Sequence, residues 1–141
     1  MPTYLIVANQ TLGGAELVDH VRERLASGPC SFHLVVPATP PKEHLTWTEG
    51  EAHAIAERRL AEGIDRLSAL GAEVGGEVGD ASPMLAVDDA LRNRSVDGII
   101  VATLSMGRSR WLRLSLPDRL GRKYGLPVTH IVVEPASSTA V

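Results

Sequence analysis

Residues 96–127, VDGIIVATLSMGRSRWLRLSLPDRLGRKYGLP, decide how this chain is read. A short apolar run at 98–102 gives way to a polar turn holding Gly107, arginines and serines, and a compact helical pattern follows at once. In that succession a strand end, a backbone-rich loop and a helix N-terminus present N–H groups to a bound anion, phosphate above all. The charge is gathered in the same place. Residues 106–123 contain five Arg and one Lys against one acid, Asp118, a net +5. The rest of the chain holds 8 basic and 16 acidic residues, and the whole sequence of 141 residues carries −3. An acidic chain has concentrated its positive charge on one loop, which makes that loop the candidate site.

Outward from this stretch the same alternation repeats. Residues 4–8 (YLIVA), 32–36 (FHLVV), 74–78 and Val128–Val133 (VTHIVV) are short apolar runs suited to strands buried on both faces. Helical patterns lie between them. Residues 15–26 place Leu17, Val18, Val21 and Leu25 on one stripe and stop at Ser27-Gly28-Pro29. Residues 51–70 carry Ala52, Ile55, Ala56, Leu60, Ile64 and Leu67 at helical spacing, with Gly71 as a left-handed stop. Ser82 and Pro83 read as cap and first residue of a third helix whose buried face is Leu85, Ala86, Ala90 and Leu91. In the last helix Ser115-Leu116-Pro117-Asp118 has capping-box spacing, Leu116, Leu120 and Tyr124 recur four apart, and Gly125 and Pro127 end it. Strand and helix thus alternate four times before a final strand. Parallel strands joined by right-handed crossovers follow, in an open α/β sheet with helices on both faces. Ligands of such sheets lie beyond the carboxyl ends of the strands, where strand order reverses. If the first and fourth strands flank that point, the loops at 9–14 and 105–115 meet there.

The composition suits one domain, expected over residues 1–135 with a flexible tail at 136–141. Only 4% of the residues are aromatic, so the core is built from Leu, Val, Ile and Ala. No apolar run approaches the roughly 20 residues that span a bilayer. The start, MPTYLIVANQ, reads as a strand rather than a signal peptide. A cytoplasmic protein without membrane contact is expected. The lone Cys30 reads as a buried structural thiol. A small basic patch on an acidic chain does not suit nucleic acid.

Competing local readings narrow the chemistry. The loop at 105–110 lacks a Walker lysine motif and a GxGxxG, and by itself it is equally a solvated crossover. Asn9 or Thr11 serves as a cap of the first helix or as a ligand contact, while Gly13 and Gly14 supply flexibility. Asp80 reads as a turn residue. The histidines are scattered without zinc spacing, so no metal is expected, and His33 and His130 read as hydrogen-bonded sheet residues. Asp88 and Asp89 point in different directions on their helix and form no catalytic pair. No nucleophile elbow surrounds Ser105 or Ser109. Trp47 and Trp111 lie in loops, where either covers a ligand or partner, or Trp111 stacks on an arginine.

Taken together, YLIVANQT, HLVVPATPP, LSALGAEV, GDASPMLAV, VDGIIVATLSMGRSRW and GLPVTHIVV resemble a universal stress protein domain over nearly the whole chain. The resemblance implies a five-stranded parallel sheet of order 3-2-1-4-5, of the adenine nucleotide α-hydrolase-like kind. It also implies a homodimer, often formed through the last strand, and in one branch of the family ATP bound between the first and fourth strands. Carried onto this sequence, the implied contacts are Ala8 and Asn9 at the first strand end and Val36 and Pro37 beside the base. Gly107, Arg108, Ser109 and Ser115 would lie beside the phosphates.

The chain departs from the nucleotide-binding pattern in two places. Asn9 or Gln10 stands where those relatives carry an acid. Gly107 matches the first loop glycine, but Arg110 occupies the second, and only seven residues separate Gly107 from Ser115. A shorter loop with an arginine side chain narrows a cradle made of glycine backbone, while its charge preserves attraction for an anion. The expected function is regulatory binding of a small anionic ligand, an adenine nucleotide among the candidates, at the carboxyl ends of strands 1 and 4. The alternative is a nucleotide-free dimeric protein-interaction module. Slow ATP hydrolysis ranks third, because no base or metal-binding carboxylate accompanies the loop.

Overall fold

Neighbouring parallel strands cannot be joined by tight turns, so each of the first four strands is followed by a helix that carries the chain back. The computed structural model describes residues 1–38, 48–104, 111 and 115–134. Among them, β1 (Thr3–Val7), β2 (Ser31–Pro37), β3 (Glu73–Gly79), β4 (Gly98–Leu104) and β5 (Val128–Val133) alternate with α1 (Ala15–Ser27), α2 (Glu49–Ser68), α3 (Pro83–Arg92) and α4 (Leu116–Tyr124). The strands form one parallel sheet of order β3-β2-β1-β4-β5, as expected. The register sets Leu5 against Ile99, Ile6 against Ile100 and Val7 against Val101.

Successive residues of a strand face opposite sides, so continuous apolar runs feed two cores. Ile6, Ala8, Leu34, Val36, Ile100 and Ala102 pack under α1 and α2 with Leu17, Val21, Ala56 and Leu67. Leu5, Val7, Val35, Ile99 and Val101 pack under α3 and α4 with Ala86, Val87, Ala90, Leu116 and Leu120. Cys30 is buried in the first of these, consistent with a structural thiol. Gly71 and Gly125 take positive φ of 92° and 64° just past α2 and α4, which lets the chain turn without a Cβ clash.

Three local expectations are corrected. Leu85 is exposed, because the buried stripe of α3 runs through Pro83, Ala86, Val87 and Ala90 and Leu85 lies off it. Ser115 precedes α4 but makes no side-chain capping bond; it sits in the left-handed region at φ 55°. Asn9 and Thr11 do not cap α1, whose N-cap is Gly14. Asp80 does act as a turn residue, its Oδ1 accepting from the Ser82 amide at 2.8 Å. Asp88 and Asp89 diverge as expected, to Lys123 and Arg92 respectively. Trp47 falls outside the described residues, whereas Trp111 is buried in the α3/α4 core.

The surroundings of two histidines disfavour their protonation. Arg24 of α1 donates from Nε to His20 Nε2 at 2.7 Å and from Nη2 to Thr129 Oγ1 of β5 at 3.1 Å. Its guanidinium also lies 4.2 Å from the centre of the Tyr4 ring. Burial, and then the Arg24 charge, push His20 below its ordinary pKa against an opposing pull from Glu23. His33 is likewise lowered by burial and then by Arg94, with Glu77 opposing. Its Nε2 lies 3.5 Å from the Glu77 carboxylate, beyond hydrogen-bond length, while His130 does form a sheet hydrogen bond, to Thr103 Oγ1 at 2.7 Å. Since the unfolded chain protonates these rings near pH 6.5, the stabilisation they confer is complete above that value and lost as pH falls below it. Urea unfolding should therefore show stability rising between about pH 5 and 7, with a shallower rise in His20→Gln.

Candidate functional site

The strand order reverses between β1 and β4, and there the chain leaves β1 in one direction and β4 in the other. Asn9 stands at this point, 6% exposed. A buried carboxamide must find partners for both its ends, and Asn9 finds them on two elements. Its Nδ2 donates to the Pro37 carbonyl at the end of β2, 2.7 Å away, and its Oδ1 accepts from Arg59 Nη1 of α2. Two residues on, Thr11 is 3% exposed and its hydroxyl donates to the Ala102 carbonyl of β4 at 3.0 Å. The turn at Gln10–Gly13 is therefore pinned to both neighbours of β1. Leu12 is buried beneath it.

The turn is also locked to the sheet edge. A Cβ on Gly14 would collide with Cγ1 of Val133, the last residue of β5. Here glycine serves close approach of backbone to side chain, not the flexibility expected of it. In the first turn of α1, the Glu16 carboxylate accepts from the Glu134 amide at 2.9 Å. That hydrogen bond, with one from its own backbone, holds the Glu16 carboxyl below its usual pKa.

Of the expected site residues, Ala8, Asn9, Val36 and Pro37 are brought together at the ends of β1 and β2. Ala8 and Val36 are wholly buried in the core under α1 and α2, so neither side chain faces solvent. Pro37 contributes its carbonyl to Asn9. Ser115 is exposed at the N-terminus of α4, and its carbonyl accepts from Arg119 at 3.0 Å. Gly107, Arg108 and Ser109, with Arg110, lie outside the described residues. Arg59 was not among the expected residues. It borders the apolar stripe of α2, three residues past Ala56 and one before Leu60, which was its only sequence signal. A guanidinium keeps its charge at any working pH, so Arg59 brings a permanent cation to the strand end.

The fold has known counterparts. A universal stress protein family member from Burkholderia pseudomallei superposes with a TM-score of 0.58 at 15% identity, over 92% of this chain and 94% of its own. A universal stress protein from Archaeoglobus fulgidus gives 0.57 at 17% identity, over 93% and 98%. No protein-family model matches the sequence, and no curated protein matches it. The likeness is one of fold. Among the described residues no helix is long and apolar enough to cross a membrane.

The Asn9 bridge should matter for stability. Asn9→Ala leaves the buried Pro37 carbonyl without its donor, and the urea midpoint should fall by the equivalent of about 1–3 kcal/mol.

Proposed function

We propose that the chain is a universal-stress-protein-like regulatory domain of the cytoplasm that works by binding a small anion at the carboxyl ends of β1 and β4. The observation that carries this reading is the reversal of strand order between β1 and β4, because the stretch in which the sequence gathers its arginines follows β4 directly. The N-terminus of α4 supports the same reading, because the first amides of a helix carry partial positive charge. Arg108 and Arg110 add charge from the segment that links β4 to α4. An adenine nucleotide is one ligand of the right charge.

Thermal unfolding tests the proposal. Sulfate or phosphate at tenfold excess over its dissociation constant should add about 1.4 kcal/mol, beyond chloride at matched ionic strength. For a chain of this size that is a rise of roughly 3–5 °C in Tm. The Arg108→Ala, Arg110→Ala double variant should lose the difference while keeping the fold. An undiminished sulfate effect would make those arginines a solvated surface.

A second reading, a dimeric protein-interaction module that needs no ligand, rests on β5. This strand is an outer edge of the sheet, and Val132 on it is 41% exposed. Uncovered apolar edges invite pairing with a second strand. Light scattering at tens of micromolar should give the mass of a homodimer, and a monomer would remove this reading.

A further inference from the structure

Strand β3 is the outer edge of the sheet opposite β5, and its sequence, EVGGEVG, has neither the proline nor the lysine that commonly blunts such an edge. Successive residues face opposite sides. Gly76 turns toward α2, where a Cβ would strike Leu60, and Gly79 turns toward α3, where it would strike Ala86. Glu73, Gly75 and Glu77 therefore share the α3 face. Gly75 is exposed between the two carboxylates. Among the described residues, its chain neighbours aside, a Cβ on it would come within 4 Å of one atom only, His33 Nδ1 at 3.9 Å.

The floor of this opening is His33 of β2, which pairs in register with Gly75 and is 9% exposed. Its Nε2 is buried without a hydrogen-bond partner. Glu77 Oε2 stands 3.5 Å from that nitrogen and 3.7 Å from Arg94 Nη2, so neither neighbour closes on it. Arg94 is tied back to α3, donating from Nε to the Ala90 carbonyl at 3.1 Å. Burial and Arg94 favour the neutral ring, in which one nitrogen is an acceptor. Glu73 and Glu77 outnumber Arg94 by one charge.

These features define what fits. A strand laid beside β3 finds backbone groups that no other strand of the sheet takes. Whichever way it runs, the residue it sets opposite Gly75 lies about 7–8 Å diagonally from Glu73 and Glu77, within reach of a long side chain. The missing Cβ lets that side chain lie across the strand toward His33. A cationic head then meets two carboxylates and an imidazole, while its alkyl stem covers the ring. A second copy fits poorly, because antiparallel pairing about Gly75 would set Glu73 of each chain against Glu77 of the other.

We infer that the β3 edge binds an extended segment of another protein, with an arginine or lysine placed opposite Gly75. This surface is separate from the crevice between β1 and β4 and from the β5 edge, and it stands or falls independently of both readings above.

The test titrates a short blocked peptide of alternating threonine and valine, with a central arginine, into the isotope-labelled full chain. Amide shifts should change along Glu73–Gly79 and not along Val128–Val133. Norleucine in place of the central arginine should weaken binding about fivefold, the worth of two cross-strand charge pairs. N-methylation of the peptide amides should abolish binding, since the backbone pairing is then lost. Glu73→Gln, an exposed change, should shrink the preference for arginine. Gly75→Val should remove most of it by filling the opening, while the norleucine peptide still binds. Equal affinity for the arginine and norleucine peptides, undiminished binding of the methylated peptide, or shifts along β5 alone would overturn the inference. So would the absence of binding at millimolar peptide. A concentration-dependent dimer whose shifts fall on β3 would overturn it too, by assigning the edge to a second copy.

Discussion

The rest of the molecule depends on β1 and β4 lying side by side with both faces buried. Leu5, Ile6 and Val7 face Ile99, Ile100 and Val101 across this pair, and each is at most 1% exposed. Neighbours in each triplet point to opposite sides, so the pair supplies the centre of both cores at once. Each such side chain contributes about 1.5–3 kcal/mol by leaving water. A one-residue slip of either strand would exchange the two sides and set Leu5 among the α1 and α2 contacts meant for Ile6. The same pairing fixes where a ligand can sit. Strands added outward from β1 and from β4 lead the chain away in opposite directions, so the crevice at their ends is a consequence of the topology.

Elements whose signal is local were legible in the sequence. A run such as Gly98–Leu104 is apolar because it is central, and Val128–Val133 matches its expected bounds residue for residue. The long helix was readable from Ala52, Ala56 and Leu67, all buried in the structure. Misreadings occurred where a local motif had two geometric outcomes. Leu85 was assigned to the core on its chemistry, but the helical period passes it by. The spacing around Ser115 suggested a cap, yet the cap geometry requires an extended backbone and Ser115 is left-handed. The site was less legible, since its contacts join distant parts of the chain. Asn9 meets Arg59 from 50 residues away, Thr11 meets Ala102 from 91 away, and nothing beside Gly14 hints at Val133.

The residues at the crevice serve the fold before they serve a ligand. A carbonyl at the end of a buried strand has lost its solvent and needs a donor. Asn9 and Thr11 meet that need on the two sides of β1, which explains why short polar side chains follow an apolar strand. Arg59 differs. Its guanidinium reaches the end of β1 from α2, 50 residues away in the chain, and donates to the Asn9 side chain rather than to a strand carbonyl. It lies at the end of the sheet from which the arginine-rich segment departs.

The anion-binding and dimer readings share a mechanical link. Helix α1 is fastened to β5 at both ends, by Glu16 on the Glu134 amide and by Arg24 on Thr129. Between the turn and the edge strand Gly14 leaves no room, since even a methyl group there would overlap Val133. A ligand that displaced the turn after β1 would have to carry Val133 with it or open the contact. Packed interiors resist gradual deformation and shift between discrete arrangements. The edge at which a second copy would pair is therefore not mechanically independent of the crevice. Whether occupancy favours or opposes pairing depends on which arrangement of Val133 the bound turn allows, and that sign can be measured by scattering with and without sulfate.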